Sequence, residues 1–174
     1  MTTAAAEPKP PSREDAIRML EGGRAELMGL LAQLGPRELS RPGLGGGEWS
    51  PKDLVGHLAS WEEHALQALS AWERDEPAPI DRQFRTRSLS EINAEAVAAK
   101  RRLSFAQTSR RVDRTHRELL AAIRRMSDER WNAPATSRGR KPLGHRLGQI
   151  LGGPGGLFRH AGAHLPDLRA FVEE

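Results

Sequence analysis

The apolar positions of the chain recur at helical spacing in four long stretches, separated by segments dense in proline, glycine and polar residues. Ser12 can cap a first helix with Glu14 and Asp15 in its opening turn, and Ile17, Leu20, Leu27, Leu30, Leu31 and Leu34 continue it as far as Gly35-Pro36. Gly22-Gly23 weakens its middle. From Arg37 to Trp49 the chain reads as a loop closing on Gly45-Gly46-Gly47. The second helix has the clearest start: Ser50 as N-cap, Pro51 at the first helical position and Asp53 in the first turn, with the helix running to about Arg74. Its stripe is Leu54, Leu58, Trp61, Ala65, Leu69 and Trp72, and His57 lies on it. After a connection from Asp75 to Arg87, Ser88 or Ser90 opens a helical stretch through Ile92, Val97, Leu103, Val112, Leu119, Leu120 and Ile123, which Ser104 can interrupt. A polar loop from Asn132 to Lys141, a short helical turn at Leu147 to Leu151 and the glycine-rich break Gly152 to Gly156 precede a final helix over about Leu157 to Val172. No alternating strand pattern and no internal repeat occurs. The pattern predicts an all-α protein, an antiparallel four-helix bundle with long loops, folded as one domain over residues 12–174 behind a disordered tail over 1–11.

Composition narrows the chemistry. The 174 residues contain no cysteine, which removes disulfides and thiolate ligands and leaves His, Asp or Glu for any metal. Met1 to Pro11 lacks a basic n-region followed by an apolar core, so it does not read as a signal peptide, and no run approaches the ~18–20 apolar residues of a membrane span. The expected location is the cytoplasm, with no membrane partner. The formal charge is +4 and the pI about 10.3. Arg101, Arg102, Arg110, Arg111, Arg114, Arg117, Arg124 and Arg125 fall in one helical region. Without interleaved aromatics or a DNA-binding motif, they read as a solvated face, and no nucleic-acid partner is expected.

The histidines carry the candidate chemistry. His160 and His164 are four residues apart, so their side chains stack one turn apart on one helical face, which continues through Leu157, Leu168 and Phe171. His57 arrives on the inward face of another helix. Three neutral imidazoles suit zinc, nickel, copper or iron, with coordination positions left open for water or substrate. An ion there can lower the pKa of water, activate a thiol or polarise a substrate oxygen. On apolar faces, unpaired imidazole nitrogens would cost about 1–3 kcal/mol each. His64, two turns after His57, is too far along the helix to share the ion and reads as a pocket or supporting residue, or as a satisfied core histidine. His116 and His145 read as surface or loop residues. Asp53 and Asp167 can orient the ligand imidazoles, or else favour a helix N-terminus and sit in solvent. Trp61, Trp72 and Phe158 are candidate pocket walls or core.

The segment Gly47-Glu48-Trp49-Ser50-Pro51-Lys52-Asp53-Leu54-Val55-Gly56-His57-Leu58 resembles the signature of the DinB-like superfamily, in which a tryptophan-serine cap opens the second helix and a histidine-leucine pair follows. His160-Ala161-Gly162-Ala163-His164 is similar to that superfamily's closing histidine pair. Leu89-Ser90-Glu91-Ile92-Asn93 and the glycine-rich break look most like the ClbS/DfsB branch, which includes a hydrolase of a genotoxic compound. Thiol-transferase branches often follow the second histidine with arginine and glutamine, where this chain reads Leu165-Pro166. The resemblance implies a four-helix bundle with a metal at His57, His160 and His164, zinc or nickel first, and allows a low-molecular-weight thiol and a homodimer. The implied function is a metal-dependent hydrolase or thiol S-transferase acting on a small electrophilic or toxic compound. The alternative is a metal-free protein of ClbS/DfsB type that sequesters a small molecule.

Overall fold

A computed structural model describes residues 9–174. The helices are α1 (Arg13–Leu31), α2 (Pro51–Glu73), α3 (Pro79–Gln83), α4 (Leu89–Lys100), α5 (Phe105–Arg125), α6 (Asp128–Asn132), α7 (Leu143–Ile150) and α8 (His160–Glu173), with 3-10 turns at Glu38–Ser40 and Leu44–Gly46. The protein is all-α, and no strand occurs among the described residues.

Local chemistry sets most helix starts. Ser12, Ser50, Ser88 and Ser104 each accept a hydrogen bond from the backbone N–H three residues on. At Ser50, Ser88 and Ser104 the side chain three residues on reaches back to the cap N–H, completing a reciprocal box. Ser88, rather than Ser90, therefore starts α4, and Ser104 divides the long helical stretch into α4 and α5. The proline-containing connection after α2 holds the short helix α3, and the helical turn expected at Leu147 begins earlier, at Leu143.

The last helix begins at His160 and not at Leu157. Gly156 at φ 109° and Phe158 at φ 60° turn the chain away from a helical path, and Phe158 is driven into the core, 2% exposed. It fits there because Gly148 has no side chain: a Cβ at that position would lie 2.6 Å from Phe158 Cε2. Leu157 thus precedes the helix instead of extending its histidine face.

The long helices α1, α8, α2 and α5 form a ring, each packed on the next. Arg13 at the start of α1 donates to the Arg124 carbonyl near the end of α5 at 3.2 Å, while Arg24 pairs with Asp113 earlier in α5, so these two helices run antiparallel. α2 and α8 are antiparallel as well, since Gly45, ahead of α2, abuts Asp167 while His57 meets His160. The long crossovers let α2 and α5 share a direction: Gly56 faces Thr108 and Glu62 faces His116. One group of buried side chains surrounds Trp61, Trp72, Trp131 and Phe158; another, at the opposite end, surrounds Leu27, Leu54, Leu168 and Phe171. The tail expected over residues 1–11 lies outside the described residues as far as residue 8. Pro10 is buried, and the Pro11 carbonyl accepts a 2.8 Å hydrogen bond from Trp131 Nε1. No helix among the described residues is long and apolar enough to cross a membrane.

Candidate metal centre

His57 stands two turns into α2, on the face that the Ser50–Asp53 box aims at the bundle interior, and is 3% exposed. His160 is the first residue of α8, tied to α7 by its backbone N–H bonding the Leu151 carbonyl at 3.1 Å. His164 follows one turn later. Their side chains converge: His57 Nε2 lies 3.0 Å from His160 Nε2, and His160 Nε2 lies 3.3 Å from His164 Nε2. One ring nitrogen from each histidine falls within 4.8 Å of the others.

This arrangement is poorly served by hydrogen bonding alone. Each imidazole nitrogen has one in-plane position, filled by a proton or a lone pair. His160 Nε2 can make one good hydrogen bond, so its second close neighbour meets a like group or shares that bond. A single cation among three lone pairs satisfies every contact, and a tetrahedral zinc with bonds of ~2.0–2.1 Å separates its nitrogens by about 3.3 Å. The donor set therefore fits a divalent transition metal.

Electrostatics keeps the lone pairs free. Burial, reinforced by the neighbouring imidazoles, pushes His57 down to about 2, and burial with His164 pushes His160 down to about 3. Burial also lowers His164, opposed by the Asp167 carboxylate. All three rings are neutral at pH 7.

The Trp49 ring lies 4.9 Å from His57, and the Trp61 ring 6.0 Å from His160, so aromatic surface shields two sides of the cluster. The remaining side opens on a cleft of about 620 Å³. Trp61 lines the cleft, whereas Trp72 and Phe158 are core. Asp167 also borders the cleft and acts on His164 through its charge, without a hydrogen bond to any ring. Asp53 is used up in the cap, accepting from Ser50 N at 3.0 Å and Ser50 Oγ at 2.9 Å, and orients no imidazole. His64 packs on Trp61 at 5.4 Å, outside the cluster, with Nδ1 buried and unpartnered. His57 Nδ1 is likewise buried without a partner, so no acceptor fixes its tautomer.

Two sequence expectations are corrected. His116 and His145, read as surface or loop residues, are 6% and 7% exposed. His116 belongs to the inward stripe of α5 with Val112 and Leu120, a spacing visible in the sequence, and its Nδ1 sits 2.7 Å from Glu62 Oε1. His145 is enclosed because α7 starts at Leu143, ahead of the expected turn.

The DinB superfamily model matches residues 19–165. No curated protein matches the sequence. Among solved structures, an uncharacterised protein from Escherichia coli UTI89 superposes with a TM-score of 0.75 at 15% identity, covering 95% of each chain. The colibactin self-resistance protein ClbS in complex with a dsDNA gives 0.69 at 17% identity over 97% of this chain and 96% of that one. A mycothiol-dependent maleylpyruvate isomerase gives 0.68 at 19% identity over 91% of this chain but 61% of its own. The ClbS complex overturns the expectation that nucleic acid is excluded as a partner. A dsDNA is held on this fold, and binding to a phosphate backbone demands neither interleaved aromatics nor a base-reading motif. With a family model spanning most of the chain, the protein belongs to the DinB superfamily.

Proposed function

We propose that His57, His160 and His164 hold one divalent transition metal, zinc or nickel, and that the protein is a metal-dependent enzyme acting on a small electrophile, as a hydrolase or a thiol S-transferase. The observation that supports this reading is the convergence of their Nε2 atoms, 3.0 and 3.3 Å apart, at the edge of an open cleft. When bound, such an ion supplies Lewis acidity toward a weak nucleophile or a substrate oxygen. The chain's own residues do the rest. The neutral imidazoles present lone pairs without competition from protons, Trp49 and Trp61 exclude water from two flanks, and Asp167 stabilises positive charge at the His164 side. The maleylpyruvate isomerase among the neighbours, mycothiol-dependent by name, supports a low-molecular-weight thiol as co-substrate.

Metal analysis after dialysis against trace-metal buffer tests the site. Wild-type protein should retain about one ion per chain, His160→Ala should lose most of it, and His64→Gln should keep it. His64 is the control because His116 is buried against Glu62 and its loss would disturb packing. Metal-free wild-type protein, or equal loss in both variants, would count against the site.

A second reading is favoured by one surface. On α5, Arg110, Arg114, Arg117 and Arg125 are exposed and have no acidic partner within 4 Å among the described residues, whereas Arg111 and Arg124 are paired with Glu63 and Glu21. This stripe suits the phosphate backbone of double-stranded DNA. Retention should weaken steeply as salt rises, and Arg114→Glu with Arg117→Glu should reduce it by tenfold or more at fixed salt. Salt-independent retention, or none in dilute buffer, removes this reading.

A further inference from the structure

Phe84 and Leu89 are the large apolar side chains left exposed among the described residues, at 47% and 52%. Both line the cleft that opens from the three histidines. Isolated exposed hydrophobics need no explanation, but two that face one cavity of ligand size do. Phe84 caps the C-terminus of α3, and Leu89 is the first residue of α4. Phe84 and Leu89, at the two ends of the α3–α4 connection, thus form one wall of the cleft with Trp61.

That wall is built to keep its shape. The Trp61 indole is held by its Nε1 donating to Asn93 Oδ1 at 3.0 Å. The Phe84 ring stacks against it, 26° between planes with centroids 6.3 Å apart, so the two aromatic rings stand together on this wall. α3 itself is anchored twice, by Ile80, 1% exposed in the core, and by Asp81 accepting from Arg146 Nη2 at 2.6 Å. The aromatic face therefore exists before any ligand arrives, and a ligand need not spend binding energy ordering it.

The same ion pair decides the charge of what can bind. Arg146 is the cation at this end of the cleft and is neutralised by Asp81, while Asp167 adds a carboxylate near the histidines. Among the described residues that line the cleft, no other arginine or lysine is present to attract an anion.

We infer that this wall is the substrate-body subsite of the cleft, taking an uncharged, planar, ring-bearing group, and that Phe84 and Leu89 determine its specificity. The inference rests on the reading of the cleft as a small-molecule site, with the reactive end of the ligand at the histidines. It does not depend on which reaction follows.

Equilibrium titration with the neutral fluorophore N-phenylnaphthylamine tests it, with the anionic anilinonaphthalene sulfonate as the charged counterpart. The neutral probe should bind with one site per chain and more tightly than the sulfonate. Phe84→Ala and Leu89→Ala remove side chains that are about half exposed and outside the core, and should each weaken it by about tenfold. Wild-type protein after chelation should bind it within about twofold of untreated protein, since removing an ion leaves every side chain of the wall in place. Metal loss with retained probe binding would thus speak to the histidine site, and retained metal with unchanged probe affinity in the Phe84→Ala, Leu89→Ala double variant would overturn the subsite. Tighter binding of the sulfonate would overturn the uncharged class. If the double variant instead converts a dimer to a monomer in sedimentation and leaves probe affinity unchanged, the wall is a subunit contact and the inference fails.

Discussion

Gly144→Ala is expected to destabilise the protein by about 3 kcal/mol, the upper end of the usual cost of overpacking a core. Gly144 is buried in α7, directly against Trp131, which is 1% exposed. A Cβ there would lie 2.5 Å from Trp131 Nε1 and 2.7 Å from Cδ2. Neither group can yield cheaply. The indole is stacked on Phe158 at 5.8 Å and donates to the Pro11 carbonyl at 2.8 Å, while the glycine is fixed by the helix. Displacing Trp131 breaks the stack, the hydrogen bond and the seating of Phe158, which sets the start of α8 and with it His160. Gly22→Ala is the contrasting change: it sits inside α1 with nothing within 4 Å of a new Cβ, and should stabilise by about 0.5–1 kcal/mol through helix propensity. Urea denaturation measures both. A Gly144→Ala midpoint equal to wild type would show that the α6–α7 contact is looser than the geometry requires.

Acidification should begin to destabilise the metal-free protein well above the pH range in which carboxylates titrate. His57 and His160 are held at about 2 and about 3 in the folded state, against an ordinary value near 6.5. Because the unfolded chain takes up these protons first, the stability from the neutral rings is complete above about pH 6.5. It is lost as the pH falls toward the folded values. Each fully buried histidine then costs about 2 kcal/mol by pH 5 at 1.36 kcal/mol per pH unit. His57 carries the larger share, because His160 is partly open to the cleft. His57→Gln should flatten the dependence between pH 6.5 and 5. Saturating zinc should do so too in wild type, since an ion on the lone pairs competes with the proton. Stability measured after chelation that stays constant across this window would mean that water reaches the rings and solvates their charged forms.

The bearing of sequence on the candidate site differs from residue to residue. His160 and His164 were legible as a pair because one turn of helix fixes their separation whatever the rest of the chain does. Trp61 was legible as a wall because it shares the His57 stripe. His116 carried a signal in its spacing from Val112 and Leu120, but no second histidine at ligand spacing accompanies it. Phe84 carried none, since its place depends on α3, five residues long and anchored by a salt bridge to a residue 65 positions away.

What the sequence determined by itself is the helical class and most helix starts, together with the inward stripe that holds His57. Capping and periodicity act within a turn or two of chain, so Ser12, Ser50, Ser88 and Ser104 specify their boundaries through neighbours three residues away. The tertiary structure alone decided that His57 reaches His160 across 103 positions, that α8 begins at that histidine, and that Phe84 and Leu89 share one cleft. Those outcomes depend on which helices become neighbours and on glycines such as Gly148 that leave room for a ring from elsewhere in the chain. Such close approaches arise only from packing the whole bundle, because local backbone preferences carry no information about what will lie opposite.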